Sequence, residues 1–461
     1  MKRFFFSFCL FSILLSTAYA QNITGTWNGA INIQGTKLNL VFHIENDGTD
    51  YIAKMDSPDQ GARGIPVTNI TFINPNLKIE ISNINFKYEG VLKNDTLIEG
   101  TFSQFGNSMP LKLERGDVRY NRPQEPTKPY PYISEDVKFD NNTAGITLAG
   151  TFTYPKSGRN FPAVVLVSGS GAQNRDEELM GHKPFLVLSD YLTREGIAVL
   201  RFDDRGVGES TGKHSEATSS DFSTDVLAAV DFLKTRKEID KNKIGIAGHS
   251  EGGMIAFIVA KDNKDIAFIV SMAGTGVTGD SVLIMQARSV PASTGMYDGM
   301  VEQNVQTTKR MLEMAKQNSA EYIRENLDSL MQAVLPKEQS WLHTDAVKNN
   351  MRSSFGLFSS PWGHFFLTHD PAESLKDVKC PVFAINGDKD IQVDALVHLS
   401  AIEKALQKGG NKNVTIKSYP GLNHLFQKCN ACTLAEYGTL EETMSPQVLE
   451  DIASWILDIT K

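Results

Sequence analysis

The stretch KIGIAGHSEGGMIAFIVA, residues 243–260, decides the fold. KIGIAG reads as a buried strand and MIAFIVA as an apolar helix, with Gly248-His249-Ser250-Glu251-Gly252 tightly turned between them. A serine on so sharp a strand-to-helix turn crowds the residues two before and two after it, which is why both are glycine. The turn projects the Ser250 hydroxyl and leaves the Glu251 N–H at a helix N-terminus, aimed where negative charge would develop. Ser250 is therefore the candidate nucleophile.

The flanking sequence supplies a sheet for this turn. FPAVVLVSG (161–169), IAVLRFDDRG (197–206), IAFIVSMAG (266–274), CPVFAING (380–387) and VTIKSYPG (414–421) read as strands, after an entry hairpin, DVKFDNN and ITLAGTFTYP. Between them run helical segments at 184–196, 219–237 and 394–410, with a last one at 445–460. That alternation predicts an α/β fold, a mostly parallel sheet with helices on both faces. From about 278 to 379 it stops, and mainly helical sequence reads as an inserted lid. Seven of the fourteen methionines, Met285 to Met351, fall there. Flexible thioethers suit an adaptable apolar surface over a pocket, or equally the packing of a helical bundle.

Upstream the period changes. Residues 21–117 alternate apolar and polar residues in TGTWNGAINI, LNLVFHIEN, YIAKMD, LKIEISNI, FKYEGVLKND, LIEGTFSQFG and MPLKLERG, which predicts a small all-β domain, barrel or sandwich. Residues 118–132 carry Pro123, Pro126, Pro129 and Pro131 and read as an extended linker to an α/β domain over 133–461. Two domains suit a chain of 461 residues with ordinary globular composition. Residues 1–20 read as a signal peptide: Lys2 and Arg3, an apolar run from Phe4 to Leu15, then Ala18 and Ala20 at a small-residue cleavage site. The run is shorter than the roughly 20 apolar residues a span needs, so a soluble secreted or periplasmic protein is expected, without membrane insertion.

Losing Lys2 and Arg3 would take the formal charge from −8 to about −10, with no basic stripe, which argues against a nucleic-acid partner. Of four cysteines, Cys9 lies in the leader, while Cys429 and Cys432 are spaced to pair in an oxidising compartment. Three remaining cysteines make a poor metal site, and none is assigned.

A serine needs a base, itself oriented by a carboxylate, and after such an elbow the order is Ser, Asp or Glu, His. Asp390 and Asp388 follow the strand CPVFAING; Asp390 lies further past the turn, while Asp388 suits capping it through its own backbone. His424 follows the last strand. His398 sits within a helix, His249 is too close to Ser250 to turn back, and His182, His364 and His369 precede Asp390. The loop Ser168-Gly169-Ser170-Gly171-Ala172 offers a second oxyanion donor, the Ser170 N–H first and the Gly171 N–H second. It lacks the Lys-Ser or Lys-Thr ending of a phosphate loop. Asp203, Asp204 and Arg205 read as loop bracing, and Arg175, Asp176 and Glu177 as solvated loop charge. Trp362, Phe365 and Phe366 precede the resumed sheet and are candidate walls of a substrate pocket.

With SGSGAQNRDEE (168–178), FDDRGVGES (202–210), GHSEGG (248–253), NGDKD (386–390) and LNHLF (422–426) in this order, the chain from about Tyr132 to Thr460 resembles secreted bacterial carboxylesterases of the α/β-hydrolase superfamily, in its serine aminopeptidase-like branch. The resemblance implies a Ser250, Asp390 and His424 triad acting on a small ester without cofactor. It also implies that WNG, SPDQGARGIP and EGTF belong to a β-rich accessory module. Ser168 stands where many lipases and esterases carry histidine, so the motif does not specify a lipase. Two alternatives stay open: an aminopeptidase holding a substrate ammonium through Glu302 or Glu313, and an inert binding protein. The accessory domain is left between glycan binding and self-association.

Overall fold

The computed structural model describes residues 22–33, 36–58, 62–116, 121–335 and 345–461. The signal-peptide reading and positions 118–120 of the expected linker lie outside them. The chain divides into two compact units, one up to Arg119 and one from Tyr120 onward.

The first unit holds one antiparallel sheet of nine strands: β1 (Gly25–Ile33), β2 (Thr36–Asn46), β3 (Tyr51–Ser57), β4 (Ala62–Pro66), β5 (Asn69–Ile73), β6 (Asn76–Ile81), β7 (Phe86–Asn94), β8 (Leu97–Gln104) and β9 (Asn107–Arg115). Their order, β4-β3-β2-β1-β9-β8-β7-β6-β5, is two meanders, β1 to β4 and β5 to β9, joined into one sheet where β1 pairs with β9, so the barrel alternative fits, as a half-barrel, and the two-sheet sandwich does not. Alternate residues of the strands, among them Trp27, Phe42, Ile79, Tyr88 and Leu113, fill one core. Two strands, β4 and β5, escape the sequence reading. Each has only five residues, and β4 contains Gly64 and Pro66, which blur the alternation.

The second unit is built on eight strands: β10 (Ile133–Asn141), β11 (Ile146–Tyr154), β12 (Phe161–Val167), β13 (Ala198–Phe202), β14 (Ile239–His249), β15 (Ile269–Met272), β16 (Val382–Gly387) and β17 (Val414–Tyr419). Their order is β10-β11-β13-β12-β14-β15-β16-β17. The entry hairpin pairs antiparallel, and every pairing from β13 to β17 is parallel. Parallel neighbours need crossovers, and the helices that make them cover both faces. On one face α2 (Ser219–Thr235), α3 (Glu251–Ala260) and α11 (Ala395–Lys408) pack over Val165, Ile246, Ile269 and Ala384. On the other, α1 (Pro184–Arg194) and α13 (Pro446–Ile459) cover Val164, Ala247, Val270 and Ile385.

Among the described residues, seven helices stand between β15 and β16: α4 (Gly279–Ser293), α5 (Asp298–Gln317), α6 (Ala320–Glu325), α7 (Leu327–Val334), α8 (Asp345–Phe358), α9 (Pro361–Thr368) and α10 (Pro371–Leu375). The insertion has its own core, including Met311, Leu312, Met331, Met351 and Phe355, so several methionines do pack as bundle interior. It rests on α3 through Val282 and Phe366 against Met254 and Ile258. No helix among the described residues is long and apolar enough to cross a membrane.

The FDDRG turn after β13 braces the unit, as its composition suggests. Arg205 forks onto Asp225 of α2, Nε to Oδ2 at 2.7 Å and Nη2 to Oδ1 at 2.9 Å, while Asn141 Nδ2 donates to the same carboxylate at 2.7 Å. Both charges are buried. Replacing Arg205 by methionine would leave Asp225 buried without its cation, at a cost of about 3–5 kcal/mol. The described helices of eight residues or more all belong to this unit, so the urea midpoint of the helical circular-dichroism signal should fall accordingly. An unchanged midpoint would show that the pair contributes nothing.

Candidate active site

Ser250 lies between the end of β14 and the start of α3 with φ 53° and ψ −118°, a conformation that residues other than glycine rarely adopt. Its neighbours enforce it. A Cβ at Gly248 would collide with the Gly252 carbonyl, and one at Gly252 with the Val167 carbonyl of β12. The Ser250 N–H donates to the Met272 carbonyl at 2.8 Å, tying the turn to β15. Glu251 is the first residue of α3, so its N–H has no acceptor within the helix.

Asp390 and His424 come together from loops after β16 and β17. The His424 Nδ1 lies 2.6 Å from Asp390 Oδ2, with both side chains buried. The other carboxylate oxygen accepts the N–H groups of Gln392 at 2.8 Å and Val393 at 2.9 Å, which fixes its orientation. Asp388 does not cap its own turn. Its Oδ1 accepts the Gly421 N–H at 2.7 Å, so it clips the two loops together. Beyond His424, the Asn423 side chain accepts from the N–H groups of Leu425 and Gln427, and a disulfide joins Cys429 to Cys432.

Ser250 and His424 line one cavity of about 370 Å³, with Ser170, Trp362, Phe366 and Tyr437 also on its wall. Two residues expected there are placed elsewhere. Gly171, at φ 95°, turns the loop away and borders a separate small pocket beside Asp204 and His214. Phe365 does not line this cavity; it packs beside Phe366 where α9 meets α3 and stacks on His369 at 4.9 Å. In the loop of residues 168–172, Gly169 and Ser170 both border the cavity, but the Gly169 N–H is already engaged by Glu177 Oε1 at 2.7 Å. Asp204 braces this loop, accepting from Ser168 Oγ at 2.9 Å and the Gln173 N–H at 2.8 Å.

Glu177, expected in solvent, is only 2% exposed. Its Oε1 also meets His249 Nδ1 at 2.9 Å, and His249 Nε2 faces the His424 carbonyl at 3.0 Å. Both ring nitrogens thus face acceptors, and the ring satisfies both only as an imidazolium. Burial opposes that charge, but the charge and hydrogen bond of Glu177, with the His424 carbonyl, outweigh it and hold the His249 pKa above its ordinary value. One clamp therefore joins the loop of residues 168–172, the elbow and the His424 loop. No local pattern announces it, because Glu177 and His249 are 72 residues apart.

Glu251 turns its carboxyl the other way. Its Oε1 accepts from Ser219 Oγ at 2.6 Å and from Trp362 Nε1 at 2.8 Å, which fastens α9 of the insertion to the start of α3. Burial pushes this carboxyl's pKa up.

The His249 clamp has a pH signature. A folded-state pKa raised above the unfolded one contributes stability below the imidazole's ordinary value, about pH 6.5, and loses it as pH rises through the raised value. The helical unit should thus weaken relative to Glu177→Gln as the pH rises above the imidazole's ordinary value. Parallel pH dependences of the two urea midpoints would contradict the ion pair.

The family model described as "Serine aminopeptidase, S33" matches residues 183–428. Esterase EstD of Thermotoga maritima is 26% identical over 316 residues, a match covering 67% of this chain and 65% of that protein. An uncharacterized Pseudomonas aeruginosa protein, PA2218, is 34% identical over 134 residues, 28% of this chain and 34% of its own length. The match thus spans less than two thirds of either curated relative. The crystal structure of that Pseudomonas protein superposes with a TM-score of 0.46 at 18% identity, covering 75% of this chain and 98% of its own. The Pyrococcus furiosus esterase Pf2001 gives 0.41 at 16% identity, covering 71% and 93%. With more than half of its length matched by the family model, the chain belongs to the serine aminopeptidase S33 family of α/β hydrolases.

Proposed function

We propose that this protein is a secreted carboxylesterase in which Ser250 attacks the ester carbonyl, His424 takes its proton and Asp390 holds the imidazole. The observation that carries the reading is the buried Asp390–His424 pair opening on the same cavity as the strained Ser250 elbow. The Asp390 contact at Nδ1 leaves Nε2 as the nitrogen that exchanges protons with serine. The N–H groups of Glu251 and Ser170 stabilise the tetrahedral oxyanion. The imidazolium then protonates the leaving alcohol, and water, deprotonated by His424, releases the acid by the same route. The helical insertion acts as the lid, with Trp362 and Phe366 as the apolar wall. Residues 1–20 direct export, and the half-barrel unit is an accessory domain for glycan binding or self-association.

Esters are favoured over peptides by the charges on the wall. An aminopeptidase must hold an ammonium, and Glu302 is exposed and paired with Arg288 at 2.5 Å, while Glu313 is exposed too. Neither lines the Ser250 cavity. Glu177, the one carboxylate among the described lining residues, is committed to the His249 imidazolium. The relative EstD is itself named an esterase.

Ser250→Ala should lower kcat on p-nitrophenyl butyrate by about a million-fold, as loss of a triad serine does elsewhere. Asp390→Asn should cost about ten-thousand-fold through the wrong imidazole tautomer. Butyryl p-nitroanilide should be cleaved far more slowly than the ester. Full turnover by the serine variant would remove the mechanism, and faster cleavage of the amide would turn the assignment to a peptidase.

A further inference from the structure

The helical insertion contains a second cavity, of about 550 Å³, between α4, α5 and α8. Met296, Met300, Met311, Met351, Pro291 and Phe358 supply much of its wall, and none of its described lining residues is charged. Leu283 and Gln286 of α4 line both this cavity and the Ser250 cavity. Three residues apart, they share one helix face, so both cavities border the same turn of α4.

Packing alone gives no reason for this space. It is a half-open hollow, and without a guest its apolar wall atoms, those of the exposed Met296 and Met300 among them, lack the dispersion contacts that one would supply. Gln303, Asn304, Asn350 and Ser354 add uncharged polar groups, but most of the wall is thioether and hydrocarbon, which favours an apolar guest over water. Unbranched methionine side chains adapt to a flexible apolar guest. Volumes of about 300–1,000 Å³ are typical of small-molecule sites.

We propose that the insertion cavity is a chain-binding subsite of the Ser250 cavity, and that the substrates are esters bearing a long, uncharged apolar chain. The reacting carbonyl sits at Ser250, and the chain passes Leu283 and Gln286 to end among the methionines. The proposal rests on the Ser250 reading and extends it from short to medium acyl chains, which the modest apolar walls Trp362, Phe365 and Phe366 suggest in the sequence, to long ones. The absence of charge on the described wall selects against chains with an ionised end, because nothing there would pair with it.

Each methylene that enters should raise kcat/KM about fourfold, equivalent to about 0.8 kcal/mol, until the cavity is full. The test is the ratio of kcat/KM on p-nitrophenyl decanoate to that on the acetate. It is measured in the full chain, in Thr307→Trp and in Ser354→Trp, which fill the cavity from α5 and from α8. The ratio should exceed unity in the natural protein and fall at least about tenfold in both variants, since each would exclude several methylenes. Decyl acetate distinguishes entry as alcohol from entry as acyl group, and a chain preference of either kind upholds the subsite. A ratio at or below unity that neither variant moves would overturn it.

A second measurement is independent of turnover. In Ser250→Ala protein, calorimetry should detect decanol but not butanol, and adding Thr307→Trp should weaken decanol binding at least about tenfold. Chain-dependent binding without any ester turnover in the natural protein would sink the Ser250 reading alone. Acetate turnover with no discrimination between chains, and equal binding with and without Thr307→Trp, would sink the subsite alone.

Discussion

The site depends on one steric constraint, the backbone of Ser250. A non-glycine residue at φ 53° and ψ −118° is strained, and costs of this kind are about 1–3 kcal/mol. They persist only where the surroundings over-determine them. Here β14 and α3 enter the turn already packed on both sides, and Gly248 and Gly252 permit an approach that any Cβ would block. The buried strand on one side and the wholly buried helix on the other hold the serine where its hydroxyl meets the cavity.

Around that fixed point the loops are registered by polar contacts rather than by hydrophobic packing. The His249 ring lies beside Ser250 in the chain but faces away to Glu177 and to the His424 backbone. Asp388 ties the Asp390 loop to the start of the His424 loop, and Asp204 ties the loop of residues 168–172 to the end of β13. Buried networks of this kind are costly when half-satisfied and rigid when complete. Catalysis by preorganised donors gains from rigidity, because dipoles already in place need not reorient as charge develops.

Much of this was legible in the sequence where the governing contacts are local. The elbow is written in glycines two residues either side of Ser250, and the α/β alternation follows from buried runs separated by amphipathic helices. The positions of Asp390 and His424 follow from strand ends and chain order. What escaped depends on contacts distant in sequence or on single dihedral angles. Glu177 looked solvated because its partner lies on another strand. Gly171 was set beside Ser170 because spacing cannot show that one φ of 95° sends the loop elsewhere. Phe365 and Phe366 are adjacent letters yet fall on different faces of α9, and only the docking of that helix decides which meets the cavity. Alternation in the first unit shows strands, but whether they form one sheet or two depends on which edges meet.

If Ser250 is the nucleophile, the Asp390–His424 pair activates it only in the folded protein. A fluorophosphonate reacts only with an activated serine, and mass spectrometry locates the adduct. A single phosphonylated residue is expected, Ser250, with labelling lost on unfolding. Absence of labelling in a folded, ester-hydrolysing protein, or an adduct on another serine, would contradict it.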